Sequence, residues 1–217
     1  MITALLFHLL VVLIAPPLLL GIITRVKAIY AGRRGAPLLQ PYWDLWRLVR
    51  KGSVFSRTTT WIFHAGPVVG LATTLLAALL IPLGAPTSPV AFAGDLVLFA
   101  YLLSLGRFFT VLAALDTGSA FEGMGAAREA TWACLAEPAL FLGLLAGVRV
   151  TGELSLQGIL EAPPVWTEGG APLALVLVSL FIVLLAENSR IPFDDPTTHL
   201  ELTMVHEVMV LDHSGPL

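Results

Sequence analysis

The residues of this chain best suited to chemistry stand close together near its end. Between Ala186 and Gly215 lie six carboxylates (Glu187, Asp194, Asp195, Glu201, Glu207 and Asp212), three histidines (His199, His206 and His213) and Arg190, directly behind an apolar run. Neutral imidazole and carboxylates with raised pKa exchange protons near neutral pH. The set therefore suits a proton relay through Glu187, His199, Glu201, His206, Glu207 and Asp212. A solvated or subunit-facing charged surface would have the same composition. Metal ligation fits less well, because the histidines recur every seven residues and seven residues of helix rise about 10.5 Å, too far for two of them to hold one ion. The HExxH pattern is absent, since no histidine follows Glu207 at the required position.

Two further groups of polar residues stand nearer the middle. Glu137 lies inside an apolar stretch, where a charged acid costs roughly 2.5–3.5 kcal/mol near a helix centre. It should face protein or water, either as a protonated structural group or as one station of an ion path. Arg107, in the preceding apolar stretch, is one candidate partner, and a cation snorkelling to the inner interface is the alternative reading of it. The connection Leu115 to Glu129 (LDTGSAFEGMGAARE) resembles a glycine-rich nucleotide loop superficially, but no strand precedes it and no third glycine follows at the required spacing. A tight polar loop is expected there, setting Asp116, Glu122, Arg128 and Glu129 against the Glu187 region.

Composition fixes the elements that must position these groups. With 57% hydrophobic and 12% charged residues in 217, and a mean hydropathy of +0.86, the chain departs from soluble domains, in which about a quarter of residues are charged. An all-α integral membrane protein is expected, one membrane domain over residues 1–217. The single cysteine, Cys134, excludes an internal disulfide and an iron–sulfur cluster ligated by this chain alone. No cofactor or metal is expected on the chain itself.

Five spans of roughly 20 apolar residues are expected: Ile2 to Thr24, Phe63 to Pro82, Gly94 to Leu115, Ala130 to Val150, and a short one from Pro172 to Ala186. Pro16 and Pro17 should kink the first and Pro138 the fourth. Eight of the twelve basic residues (Arg25, Lys27, Arg33, Arg34, Arg47, Arg50, Lys51, Arg57) fall in the first connection, which the positive-inside rule places on the cytoplasmic side. The N-terminus is then outside, and the connection at Asp116 to Glu129 and the segment after Glu187 share the inner face. The basic residues mark orientation in a lipid bilayer; a nucleic-acid partner is not expected.

Two helices outside the spans are expected on that face. From Pro41 to Lys51, Tyr42, Leu45, Trp46 and Val49 recur at helical spacing opposite Gln40, Asp44, Arg47 and Lys51, giving an amphipathic interfacial helix. Tyr42, Trp43 and Trp46 could also form a docking site or an apolar portal. Near the end, Pro192 and Pro196 cannot continue a helix, so the fifth span stops near Asn188. Asp195 is a favourable N-cap for a C-terminal helix from Pro196 to Leu211.

The order AExxRxPFDxP at Ala186 to Pro196, with the GSAFEGMGAARE loop and the basic first connection, resembles the membrane subunit shared by respiratory complex I (its subunit 1) and the group 4 membrane-bound NiFe hydrogenases. The sequence TTHLELTMVHE, Thr197 to Glu207, is more similar to the hydrogenase branch, including the formate hydrogenlyase membrane subunit; the complex I branch is glutamate-rich there. The resemblance implies a subunit joining a redox arm to antiporter-like membrane subunits and coupling electron transfer to proton or sodium movement. The arm's hydrogenase-like large and small subunits would hold the NiFe centre and the iron–sulfur clusters. Residues Glu187, Arg190, Asp194 and Glu201 would face that arm, with Asp195, Asp116, Glu122, Arg128 and Glu129 beside them, and Glu137 would belong to a buried polar path. Alternatives are a quinone site, as in complex I, and a purely structural anchor. Asp212-His213-Ser214-Gly215 stands where complex I members show EYSG. Family members also continue for several further spans, so a fragment, a split subunit or a short form is expected.

Overall fold

The computed structural model describes residues 2–83, 87–162, 166–194 and 205–215. Every regular element among them is a helix: α1 (Ile2–Tyr30), α2 (Gln40–Val49), α3 (Trp61–Leu79), α4 (Asp95–Asp116), α5 (Ala120–Thr151), α6 (Leu156–Glu161), α7 (Trp166–Glu187) and α8 (His206–Met209). Four are long and apolar enough to cross a bilayer, at Leu5–Tyr30, Trp61–Leu79, Asp95–Asp116 and Ala120–Thr151, and α7 contributes the shorter apolar helix Leu173–Glu187. The protein is an all-α integral membrane protein. α7 ends at Glu187, where the prolines beyond it require.

The chain divides into two compact units. The first comprises residues 1–55, 82–89 and 213–217. In it α1 runs through Pro16 and Pro17, whose missing N–H groups leave the Val12 and Leu13 carbonyls without an intrahelical donor, and the Tyr42 hydroxyl of α2 donates to the neighbouring Ile14 carbonyl. A Cβ on Gly21 would collide with the Leu38 carbonyl oxygen, so glycine alone lets the return segment lie on α1. On α2, Asp44 accepts from Gln40 Nε2 at 3.2 Å and from Arg47 Nη2 at 3.0 Å. The Arg50 guanidinium lies 4.3 Å from the Trp46 ring centroid, an exposed cation–π contact, and Trp43 is likewise exposed.

The second unit comprises residues 56–81 and 90–212. α3 and α4 run antiparallel and approach closely through small residues. A Cβ on Gly66 would meet the Ala113 Cβ at 2.7 Å, and one on Gly106 would meet Thr73 Oγ1 at 2.6 Å. Without a hydrophobic drive between helices in lipid, such close packing supplies the attraction. α5 lies between α4 and α7, with Gly143 under Leu180. Leu80, Leu96 and Leu156 form one core cluster with Phe99 and Phe141 packed on it, and Ala114, Ala126 and Met209 form another.

The connection at Leu115 to Glu129 is not the expected loop. Only Thr117, Gly118 and Ser119 separate α4 from α5, with Gly118 at φ +70 making the turn. Ala120, Ala126, Ala127 and Ala130 favour helix strongly enough to override Gly123 and Gly125. α5 therefore starts ten residues early. Its 32 residues correspond to about 48 Å at 1.5 Å per residue, well beyond a hydrocarbon core of about 30 Å.

The C-terminal helix also differs. Residues 195–204, including Asp195, His199 and Glu201, lie outside the described residues. The part described is the single turn of α8, which stops at Met209 and not at Leu211. Val210 N–H closes back on the Glu207 carbonyl at 3.4 Å, and Asp212 N–H goes to Glu122 Oε1 at 3.2 Å, so the backbone leaves the helical ladder. His206 and His213 do not share one straight helix.

Candidate functional site

Arg107 organises the polar interior. It stands near the middle of α4, where lipid offers its guanidinium no partner, and three carboxylates from two other helices surround it. Nε pairs with Glu129 Oε1 at 3.0 Å, Nη1 with Glu137 Oε1 at 3.1 Å, and Nη2 with Glu187 Oε2. Arg107 and Glu129 side chains are only 11% and 13% exposed, and Glu137 is the open member at 39%. Glu129 and Glu137 lie eight residues apart on α5, slightly over two turns, so both reach one side of the helix. Glu187 arrives because α7 ends there.

One guanidinium facing three carboxylates carries a formal charge of −2 when all are ionised. The fork of five donors lets arginine satisfy several acids at once, yet the set keeps an excess of negative charge. The arrangement can hold, exchange or pass a positive charge between α4, α5 and α7.

Other expected site residues hold the chain's own backbone. Asp116 caps α3: Oδ2 accepts from Thr60 N at 2.6 Å and Phe63 N at 3.2 Å, while Thr60 Oγ1 donates to Oδ1 at 2.8 Å. Glu122 is fully buried and accepts from Asp212 N. Asp194 is 5% exposed, and its Oδ2 accepts from His206 N at 3.1 Å, capping α8 from across the Arg190 turn. Phe193 packs edge-on against Trp132 of α5 with centroids 4.9 Å apart. Asp116, Glu122 and Asp194 thus each bond the chain's own backbone, Glu122 and Asp194 from buried positions and Asp116 from a half-buried one. Arg190, His206, Glu207 and Asp212 are exposed, and Arg128 is half-buried.

The structure brings Glu137, Glu187 and Glu129 together, and sets His206 beside them on the wall of a cavity shared with Glu129 and Glu187. Sequence reasoning pairs Arg107 with Glu137 alone. Its threefold role is readable only in part: an arginine in a span demands an acid, but not how many.

A family model described as NADH dehydrogenase matches residues 2–215. The chain is 34% identical over 194 residues to formate hydrogenlyase subunit 4 of Escherichia coli (strain K12), covering 89% of this chain and 63% of that protein. It is 33% identical over 205 residues to hydrogenase-4 component C of the same organism, covering 94% and 64%. NADH-ubiquinone oxidoreductase chain 1 of Triticum aestivum is 32% identical over 208 residues, covering 88% and 63%. Among solved structures, a chain of the membrane-bound sulfane sulfur reductase, an archaeal respiratory membrane complex, superposes with a TM-score of 0.80 at 26% identity over 98% of this chain and 69% of that one. The chain spans 63–64% of the length of these curated relatives.

Proposed function

We propose that this chain, which belongs to the NADH dehydrogenase family, is the membrane subunit that anchors a peripheral redox arm and couples its chemistry to movement of protons or sodium ions. The observation that carries the proposal is Arg107 held by Glu129, Glu137 and Glu187 together. Glu187 begins the segment that leads to Arg190 and Asp194. A shift of that segment under a docked arm would pull one carboxylate from the guanidinium and alter the charge the other two must share. Such a displacement converts a movement outside the membrane into a change of ion affinity within it.

The formate hydrogenlyase and hydrogenase-4 relatives support an arm of NiFe hydrogenase type, whose large and small subunits would hold the metal centres, with antiporter-like membrane subunits alongside. The basic first connection and the Glu187 end of α7 would face the cytoplasm, with the N-terminus opposite. In the assembled complex, Glu137→Gln and Glu187→Gln should leave the subunits associated and electron transfer running while ion movement collapses. Unchanged ion movement per electron in a correctly assembled variant would defeat the proposal, and release of the arm by charge reversal at Arg190 alone would favour a pure anchor.

One observation favours a second reading. An apolar cavity of about 440 Å³ lies between α5 and α7, walled by Trp132, Leu135, Val178, Ile182 and Phe193, which suits the apolar body of a quinone. A quinone analogue carrying a photoreactive group should then label Trp132 or Phe193; absence of labelling in the assembled complex would remove this reading.

A further inference from the structure

Two cavities meet at Arg107 and Glu187. The first, about 390 Å³, lies between α4 and α5, and Ser104, Cys134 and Glu137 stand among its apolar walls. The second, about 260 Å³, opens between α3 and α4, and its lining includes Thr73, Thr74, Thr110, Glu129 and His206. Leu103, Arg107 and Glu187 line both, so these three side chains form the partition between them.

The second cavity has a distinct chemistry. Thr73 Oγ1 donates to the Val69 carbonyl at 2.9 Å and the Gly70 carbonyl at 3.1 Å, Thr74 Oγ1 to the Gly70 carbonyl at 2.8 Å, and Thr110 Oγ1 to the Gly106 carbonyl at 3.1 Å. A hydroxyl has one proton and two lone pairs. With their protons committed to their own helices, the three threonines have only acceptor lone pairs left to offer. Glu129 and Glu187 add carboxylate oxygens. Arg107 and His206 are the basic groups on this wall, and Nε, Nη1 and Nη2 of Arg107 each already meet an acid. Oxygen acceptors beside an excess of negative charge are what a small, hard cation seeks. Among the described residues no three His, Cys, Asp or Glu side chains converge as metal ligands, which disfavours a divalent or transition metal and leaves a monovalent ion. A proton would need only one basic atom, whereas 260 Å³ accommodates an ion with part of its water, each water occupying about 30 Å³.

We infer that the cavity bounded by Thr73, Thr74, Thr110, Glu129 and Glu187 binds sodium, and that the Arg107–Glu187 partition separates the bound ion from the cavity around Glu137. The site's purpose rests on the ion-coupling role proposed above; its binding chemistry does not. An ion drawing Glu187 toward the threonines weakens the hold of that acid on Arg107 and so opens the partition.

The full chain in lipid nanodiscs would be melted in sodium, potassium and choline chloride at equal ionic strength. Sodium should raise Tm saturably over choline, as any ligand bound only by the folded state does. Thr74→Val and Thr110→Val keep side-chain shape and remove an acceptor, so each should raise the sodium concentration for half effect by roughly ten-fold, while Thr110→Ser retains the response. Identical melting of the unaltered protein in sodium and choline overturns the inference, and this comparison needs no variant to fold. An undiminished sodium response in the Thr74→Val, Thr110→Val double variant overturns it equally. If sodium has no effect on melting but Glu137→Gln still uncouples the complex, the site is lost and the coupling role stands with protons as its ion.

Discussion

Arg107, midway along α4, is ion-paired with Glu187, the final residue of α7. The pair links the interior of one helix to the last turn of another, so any motion of the chain beyond Glu187 acts on a charge inside the bundle. Glu129 and Glu137 share the same guanidinium, and removing Arg107 would leave three acids facing one another.

Arg107→Gln should therefore be severely destabilising. Breaking a buried ion pair by deleting one partner typically costs about 3–5 kcal/mol, and a large fall in Tm of the purified chain is expected. Adding Glu187→Gln to Arg107→Gln should recover part of the loss, because one of the stranded acids is then neutral. Independent, additive losses in that double-mutant cycle would show that the two residues do not interact.

Asp116 serves α3 from the end of α4. Asp116→Ala strands the N–H groups of Thr60 and Phe63 together, and loss of a helix cap costs typically about 1 kcal/mol. Asp116→Asn keeps acceptor capacity through its carbonyl oxygen and should fall between. Equal melting of the alanine variant and the parent would refute the capping role.

Gly106 leaves space for the Thr73 hydroxyl. Gly106→Ala would put a methyl 2.6 Å from Thr73 Oγ1, and overpacking of this kind costs about 1–3 kcal/mol. Thr73→Ala should relieve the clash, so the double variant is expected to melt above Gly106→Ala alone. Failure of that suppression would mean that the added methyl is opposed by something other than the Thr73 side chain.

Ser189 ends α7 in the left-handed region at φ +47, with Arg190 N–H donating to the Leu185 carbonyl at 2.9 Å. This is a Schellman-type stop, where glycine is the usual residue. Because the left-handed conformation costs a non-glycine residue about 1–2 kcal/mol, Ser189→Gly should stabilise the chain by up to about 1 kcal/mol after the greater freedom of unfolded glycine is counted. A lower Tm would contradict the strain.

Glu122 holds the terminal segment through Asp212 N–H, while Gly125 packs under Val205 and Met209. Glu122→Ala should loosen that seat, so backbone amides from Val205 to Asp212 should exchange faster with deuterated solvent while those of α4 remain protected. Unaltered exchange over that stretch would show that the seat depends on packing alone.

Much of this protein is written in local composition. Long apolar runs without charge have no stable state in water and require spans, so α1, α3, α4 and the apolar part of α7 are legible from hydropathy. Pro192 and the charged residues beyond Glu187 mark the end of α7, and the alternation of Trp and Arg marks α2. Alanine-rich helix propensity at 120–130 is legible as well, but glycine count and charge mask it, which is why hydropathy places the start of α5 too late. What no local pattern contains is which residues meet. Glu129, Glu137 and Glu187 lie up to 58 positions apart in sequence, and each by itself is only an acid near a membrane helix. Their convergence on Arg107 depends on the close approach of helices that small residues permit and on the point at which α7 stops. Likewise Asp116, Glu122 and Asp194 look like surface charges until the folded chain brings an unsatisfied backbone N–H to each. Hydropathy decides that helices cross a membrane because transfer energy sums along the chain; partners are decided by packing across it, where only the tertiary structure sets the distances on which charge and hydrogen bonding depend.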